Sequence, residues 1–191
     1  MRLALFDRNQ RLRTKALFAL IRLVSRQPVL DAVRLAMYRP EFYGGGQLTH
    51  AAMRGPSTWS VGDRELMAAF VSKVNQSPFC VAAHSATSRL WFDDNAKVAA
   101  TLSDVTTAPI DEKLRATLTL LGKLTLEHCV TPEDIQAVLA RGVSADQIED
   151  ALAVCLAFNI MDRLADAFDF SVANPAAIDS GARYLLKRGY R

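Results

Sequence analysis

Three helix starts are marked in this chain by paired polar residues, and together they restrict it to a helical fold. Ser60 is followed three residues on by Asp63, Thr131 by Pro132 with Glu133 and Asp134 behind it, and Ser144 by Gln147. A short polar side chain ahead of an apolar-periodic run accepts from the unpaired amides of a first turn, and the later side chain reaches back to the cap. Alternating β-branched runs bounded by turn residues, the mark of strands, are nearly absent. The expectation is an all-α fold with helices over 61–75, 78–90, 111–128, 132–140 and 145–168, and a last one after Asn174-Pro175. Upstream, Gln27-Pro28 separates a first helix from a second over 29–38, and Arg39-Pro40 ends that one. Gly44-Gly45-Gly46 reads as a flexible loop and the stretch from Met53 to Trp59 as a connector.

A chain of 191 residues that is 50% apolar and 23% charged can bury a sizeable core, so one domain over 1–191 is expected. Within it lie a basic helical arm over 1–40, a core over 53–170 and a C-terminal helix over 174–191. Three scattered cysteines are too few for a disulfide framework, which points to a reducing cytoplasmic setting. The net charge of +3 is too small to suggest nucleic acid, but the arm holds nine Arg or Lys against Asp7 and Asp31. Its apolar run, Lys15 to Arg26, is broken by charge and falls short of the roughly 20 residues a spanning helix needs. No secretory cleavage signal follows it, and packing on the fold or on a neighbouring subunit is expected rather than a membrane.

Chemistry concentrates in Asn75-Gln-Ser77-Pro-Phe-Cys80-Val-Ala-Ala-His84. Ser77 suits an N-cap and Pro78 a first helical position, which sets Cys80 third in a helix, near amides without partners. The positive end of a helix favours a thiolate. That influence is ~0.3–1 kcal/mol and ~2 at best, enough to lower a thiol from its reference of ~8.5 by at most ~1.5. A second group has to help. His84, four residues on, shares the face of Cys80 and can accept a proton. Glu65 lies on the preceding helix, where antiparallel packing across the short break would bring its carboxylate to the imidazole. The plainer alternative is a buried cysteine acting as a small hydrophobe.

The stretch from Met53 to His84, with the later Phe158-Asn-Ile-Met-Asp-Arg163-Leu-Ala-Asp166-Ala-Phe, resembles the AhpD-like alkylhydroperoxidases of the carboxymuconolactone decarboxylase superfamily. Within them it is most similar to the branch called peroxidase-related proteins. The family pattern is a glutamate, then Cys-x-x-Cys-x-x-x-His, which falls on Glu65, Ser77, Cys80 and His84. The resemblance implies an all-helical AhpD-like fold, homo-oligomers, and a thiol pair that reduces hydroperoxides with electrons from an external thiol. It implies a proton relay through the glutamate and histidine. No metal and no cofactor are expected.

Ser77 stands where the pattern has the first cysteine, so the local disulfide cycle is unavailable. Three explanations compete. Cys80 reduces peroxide alone through a sulfenic acid that another thiol resolves; the site serves non-redox chemistry or binding, as in decarboxylase relatives; or the serine was introduced in place of a cysteine. The first is the leading expectation, a carboxymuconolactone decarboxylase-like enzyme the second, and a structural or binding relative the third.

Cys155 has apolar neighbours in sequence and reads as core. Glu127-His128-Cys129 lacks the ligand count and spacing of a zinc site, although Cys129 is a candidate resolving thiol. Trp59 suits a hydrophobic staple ahead of Ser60. Arg163 and Asp166, three residues apart, read as an ion pair, and Met67, Phe70, Val71 and Val74 as core at helical spacing or an apolar wall for an organic peroxide.

Overall fold

A computed structural model describes residues 10–44 and 46–190. Among these the chain is helical, with no strand. In chain order the helices are α1 (Leu12–Ser25), α2 (Asp31–Tyr38), α3 (Pro40–Tyr43), α4 (Gly46–Arg54), α5 (Val61–Val74), α6 (Pro78–Phe92), α7 (Asn95–Ser103), α8 (Glu112–Glu127), α9 (Pro132–Ala140), α10 (Ala145–Ala167) and α11 (Pro175–Arg188). The three paired starts are capping boxes, each cap accepting from the third amide while the third side chain accepts from the cap amide.

Three elements depart from the sequence expectation. The glycine triplet is not a loop throughout, because α4 begins at Gly46, Gly44 follows α3, and Gly45 lies outside the described residues. α3 is a single turn that restarts at Pro40, directly after the end of α2. α7 was not anticipated, although Asp94 caps it by accepting from the Lys97 amide at 2.8 Å. Among the described residues, no helix is long and apolar enough to cross a membrane.

α5 is the centre of the fold. It packs against α6, α8 and α10, and its Leu66, Met67 and Val71 are fully buried. They join Met53, Leu114, Leu118, Leu121, Val154 and Phe158 in the main core. Trp59, just ahead of α5, is buried and donates its indole N–H to the Gln147 carbonyl at 2.8 Å, tying the starts of α5 and α10 together. α6 lies so close to the start of α5 that a Cβ on Gly62 would overlap the Trp91 side chain. Phe70 packs partly buried on the core, while Val74 is half-buried.

Between α5 and α6 the chain reverses within three residues. Gln76 takes a left-handed φ of 60°, its amide bonds to the Lys73 carbonyl, and the Ser77 amide bonds to the Ser72 carbonyl at 2.9 Å. This is the paired arrangement that satisfies the last carbonyls of a helix, with glutamine where glycine is usual. α10 ends the same way at Asp169, with φ 54° and the Phe170 amide on the Ala165 carbonyl. Phe170 then packs edge-on against Phe79 at 5.2 Å, closing a small apolar cluster that contains Cys80. α6 packs against α11 through Ala82, Ala86 and Leu90, which brings residues near the end of the chain to the α5–α6 pair.

Candidate functional site

Glu65 sits in the second turn of α5 with its side chain wholly enclosed, and an uncompensated carboxylate there would be costly. It has three partners. Oε2 lies 2.7 Å from His84 Nδ1, while Oε1 accepts from the Arg54 guanidinium at 2.6 Å and from the Tyr190 hydroxyl at 2.9 Å. Burial, the largest influence, pushes this carboxyl up, but the hydrogen bond and charge of His84 and then Arg54 together hold it below its ordinary value.

The network also assigns the imidazole proton. Nδ1 faces the Glu65 carboxylate and, at 3.3 Å, the oxygen of Tyr190, whose own hydrogen is committed to Glu65. Both neighbours accept, so Nδ1 carries the hydrogen and Nε2 presents its lone pair whenever the ring is neutral. Phe158 meets the ring edge-on at 4.4 Å and fixes its plane. This arrangement suits a proton acceptor at Nε2, held in orientation by the carboxylate behind it.

Cys80 occupies the third position of α6 and is buried. The expected thiolate is overturned: the thiol is raised well above its ordinary 9.0, first by burial, then by the negative charge and hydrogen-bonding influence of the Asp162 carboxylate beside it. A helix terminus supplies at most ~2 kcal/mol, which enclosure in an apolar cluster outweighs. His84 lies one turn further along α6, and the side chains with the largest influence on the thiol are Asp162, Ser77 and Asp166. Asp162 is itself enclosed, accepting from Ser72 at 2.8 Å and Asn75 at 2.8 Å, and burial raises its carboxyl.

Ser77 is fully buried at the head of α6 but does not cap it with its side chain. Its hydroxyl donates to Asp166 at 2.9 Å. The expected Arg163–Asp166 ion pair is therefore replaced: Asp166 serves Ser77, and Arg163 donates to the carbonyl and side-chain oxygens of Asn159. Cys155 is buried, yet it is not in wholly apolar surroundings. Its sulfur lies 3.3 Å from the Asn159 amide and 3.6 Å from the Thr125 hydroxyl. Cys129 is exposed, and all three cysteines are free thiols.

Sequence spacing drew attention to Glu65, Ser77, Cys80 and His84; the fold joins Glu65 to His84, and sets Ser77 and Cys80 beside Asp166 and Asp162. It missed Arg54, Asp162 and Tyr190. Arg54 and Tyr190 reach Glu65 only through tertiary packing, since 125 residues separate Glu65 from Tyr190. Asp162 carried a faint signal, a charged residue two turns past Cys155 on an otherwise apolar stretch. Among the described residues, no three side chains of metal-ligating type converge.

No family model matches the chain, and no curated protein does. Solved structures do. A crystal structure of an uncharacterized peroxidase-related protein from Silicibacter sp. TM1040 superposes with a TM-score of 0.76 at 23% identity, covering 90% of this chain and 91% of its own. A second, titled as an alkylhydroperoxidase AhpD core and an uncharacterized peroxidase-related protein from Ralstonia eutropha JMP134, gives 0.76 at 19% identity with the same coverage. The chain has the AhpD-like fold. The AhpD-like fold extends over nine-tenths of the chain.

Proposed function

We propose that the protein is a thiol-dependent alkyl hydroperoxide reductase in which Cys80 is the peroxide-reacting thiol and His84 its base. The observation that carries this reading is the buried Glu65–His84 pair, 2.7 Å apart, one helical turn from a thiol. The peroxidase-related names of the fold neighbours point the same way. His84 Nε2 takes the thiol proton, and the sulfur attacks one oxygen of ROOH. The O–O bond breaks, the proton passes to the departing alkoxide to give ROH, and Cys80 becomes a sulfenic acid. Two equivalents of an external thiol then return the cysteine, releasing water and a disulfide of the reductant. The wall formed by Phe79, Phe170 and Leu35 suits an organic rather than an ionic peroxide. Three free thiols suit a reducing cytoplasm, and exposed Leu126, Leu156 and Ile160 favour assembly with further copies of the chain.

The test is reduced protein treated with cumene hydroperoxide and mapped by mass spectrometry, with a trapping reagent for sulfenic acid. Oxidation first at Cys80, lost in His84→Gln, is the expected result. Oxidation spread equally over Cys80, Cys129 and Cys155 would overturn the assignment.

A second reading is favoured by one observation, the raised thiol beside Asp162. In it the Glu65–His84 pair moves protons on a small carboxylic acid, with Cys80 as packing, in the manner of a decarboxylase. Arg54 is the cation nearest that pair, but Glu65 already engages it. Turnover of a lactone acid that survives in Cys80→Ala would establish this reading over the first.

A further inference from the structure

Tyr190 lies two residues beyond α11 and outside the motif, yet its hydroxyl is placed on the buried carboxylate of the site. Several features deliver it there. Its backbone amide donates to His50 Nδ1 at 3.3 Å. Gly189 before it takes a φ of 68°, and a Cβ at that position would lie 2.9 Å from the His50 ring. Arg54, besides bonding Glu65, donates to the Leu185 carbonyl at 3.1 Å and lays its guanidinium over the Tyr190 ring at 5.2 Å. The ring also stacks on His84, at 6.2 Å and 19°.

Arg54 creates the problem that this placement answers. Its guanidinium grips Glu65 through Nη2 only, its Nη1 donates to the Met53 carbonyl at 2.8 Å, and its Nε is buried without a hydrogen-bond partner. A planar guanidinium prefers to take both oxygens of a carboxylate at once. Doing so at Glu65 would draw Oε2 off His84 Nδ1. With Nη1 held by Met53, the fork open to Glu65 is the edge formed by Nη2 and the unpartnered Nε; the Tyr190 hydroxyl shares Oε1 with Nη2 and its ring lies against the guanidinium, which keeps Nε off Oε2.

We propose that Tyr190 is a positioning residue that reserves Glu65 Oε2 for His84 by denying Arg54 a two-pronged grip on the carboxylate. His84 then keeps its hydrogen on Nδ1 and its lone pair on Nε2. The catalytic consequence rests on the peroxidase reading above, whereas the effect on the imidazole does not.

The experiment records ring nitrogen NMR signals of ¹⁵N-histidine-labelled full-length protein, at the high-pH end of the range over which it stays folded. Peroxide oxidation of Cys80 is followed in parallel. Wild type should show His84 as one tautomer with hydrogen on Nδ1. In Tyr190→Phe, which keeps the ring, the two nitrogen signals should move towards each other, with Cys80 oxidation slower by about tenfold or more, the loss of one hydrogen bond to a charged group. Adding Arg54→Lys, which cannot form the fork, should restore the wild-type pattern. Unchanged His84 signals in Tyr190→Phe, or no restoration in the double variant, would overturn the proposal. If Tyr190→Phe does not fold, the double variant decides: folded with the wild-type pattern it supports the proposal, and unfolded it refutes it. A wild-type protein inert to hydroperoxide whose His84 signals still respond as expected would refute the peroxidase reading and leave the role of Tyr190 standing.

Discussion

Ser77 donates its hydroxyl to Asp166, 2.9 Å away, rather than to the amides of the helix it begins. The serine is thereby built into the contact between the head of α6 and the end of α10. Replacing Ser77 by Cys should cost about 1 kcal/mol in the reduced protein, because a thiol is a poor donor to Asp166. It should also place a second thiol one turn from Cys80. Mild oxidant should then remove two hydrogens from the variant by intact mass and not from the wild type, and turnover with a dithiol reductant should rise. A variant that keeps both thiols under oxidant would show that the α6 head cannot adopt disulfide geometry.

The buried neutral thiol of Cys80 makes stability depend on pH in the alkaline range. Its folded value is raised above the ordinary 9.0, so the stability it contributes is complete below about 9.0 and is lost as pH climbs from there towards the folded value. Tyr190, raised well above 10.0 by burial and then by the Glu65 charge, acts in the same direction at higher pH. Urea midpoints measured from pH 7 to 10 should fall at the upper end, and fall less in Cys80→Ala. Asp162→Asn removes the second-largest cause of the elevation, so Cys80 alkylation at pH 8 should be faster than in wild type.

Glu65→Gln tests the buried charge pair itself. Removing one partner leaves Arg54 enclosed without its counter-ion, and breaking a buried pair costs roughly 3–5 kcal/mol. Denaturant unfolding should show a loss of that size together with loss of Cys80 oxidation. At the acid end, Glu65 lies below its ordinary 4.5, so its contribution is present above about 4.5 and disappears as pH falls through the folded value. The acid unfolding of Glu65→Gln should accordingly be flatter than that of wild type.

Gly62→Ala probes the α5–α6 contact away from the chemistry. The added methyl would overlap Trp91 and approach Phe92 at 2.9 Å, and overpacking of this kind costs typically ~1–3 kcal/mol. Calorimetry should show a lower melting temperature, with the His84 ring signals unchanged if the helix pair shifts without rotating.

Local chemistry explains what the sequence made legible. The starts of α5, α9 and α10 were readable because a capping box is complete within four residues. Glu65 and His84 could be paired on paper because a three-residue break folds two helices onto each other and leaves few ways to align them. α4 was obscured by the glycines ahead of it, whose freedom masks a helix that Thr49, Ala52 and Met53 hold in place by burial. The thiol was misjudged because helix position is visible in a sequence whereas enclosure by Phe79, Phe170 and Asp162 is a property of tertiary structure. Arg163 and Asp166 had the right spacing for an ion pair, but Arg163 bonds Asn159 one turn back on α10 and Asp166 bonds Ser77 at the head of α6.

Glu65, Cys80 and His84 lie within 20 consecutive positions, while Tyr190 lies 125 positions beyond Glu65. A chain interrupted before Tyr190, by stalled synthesis or by a protease, would still carry every residue of the motif. Its Arg54 would be free to close on Glu65, leaving an imidazole without a fixed proton. Fragments of this protein would therefore resemble an intact site on paper and lack one in solution.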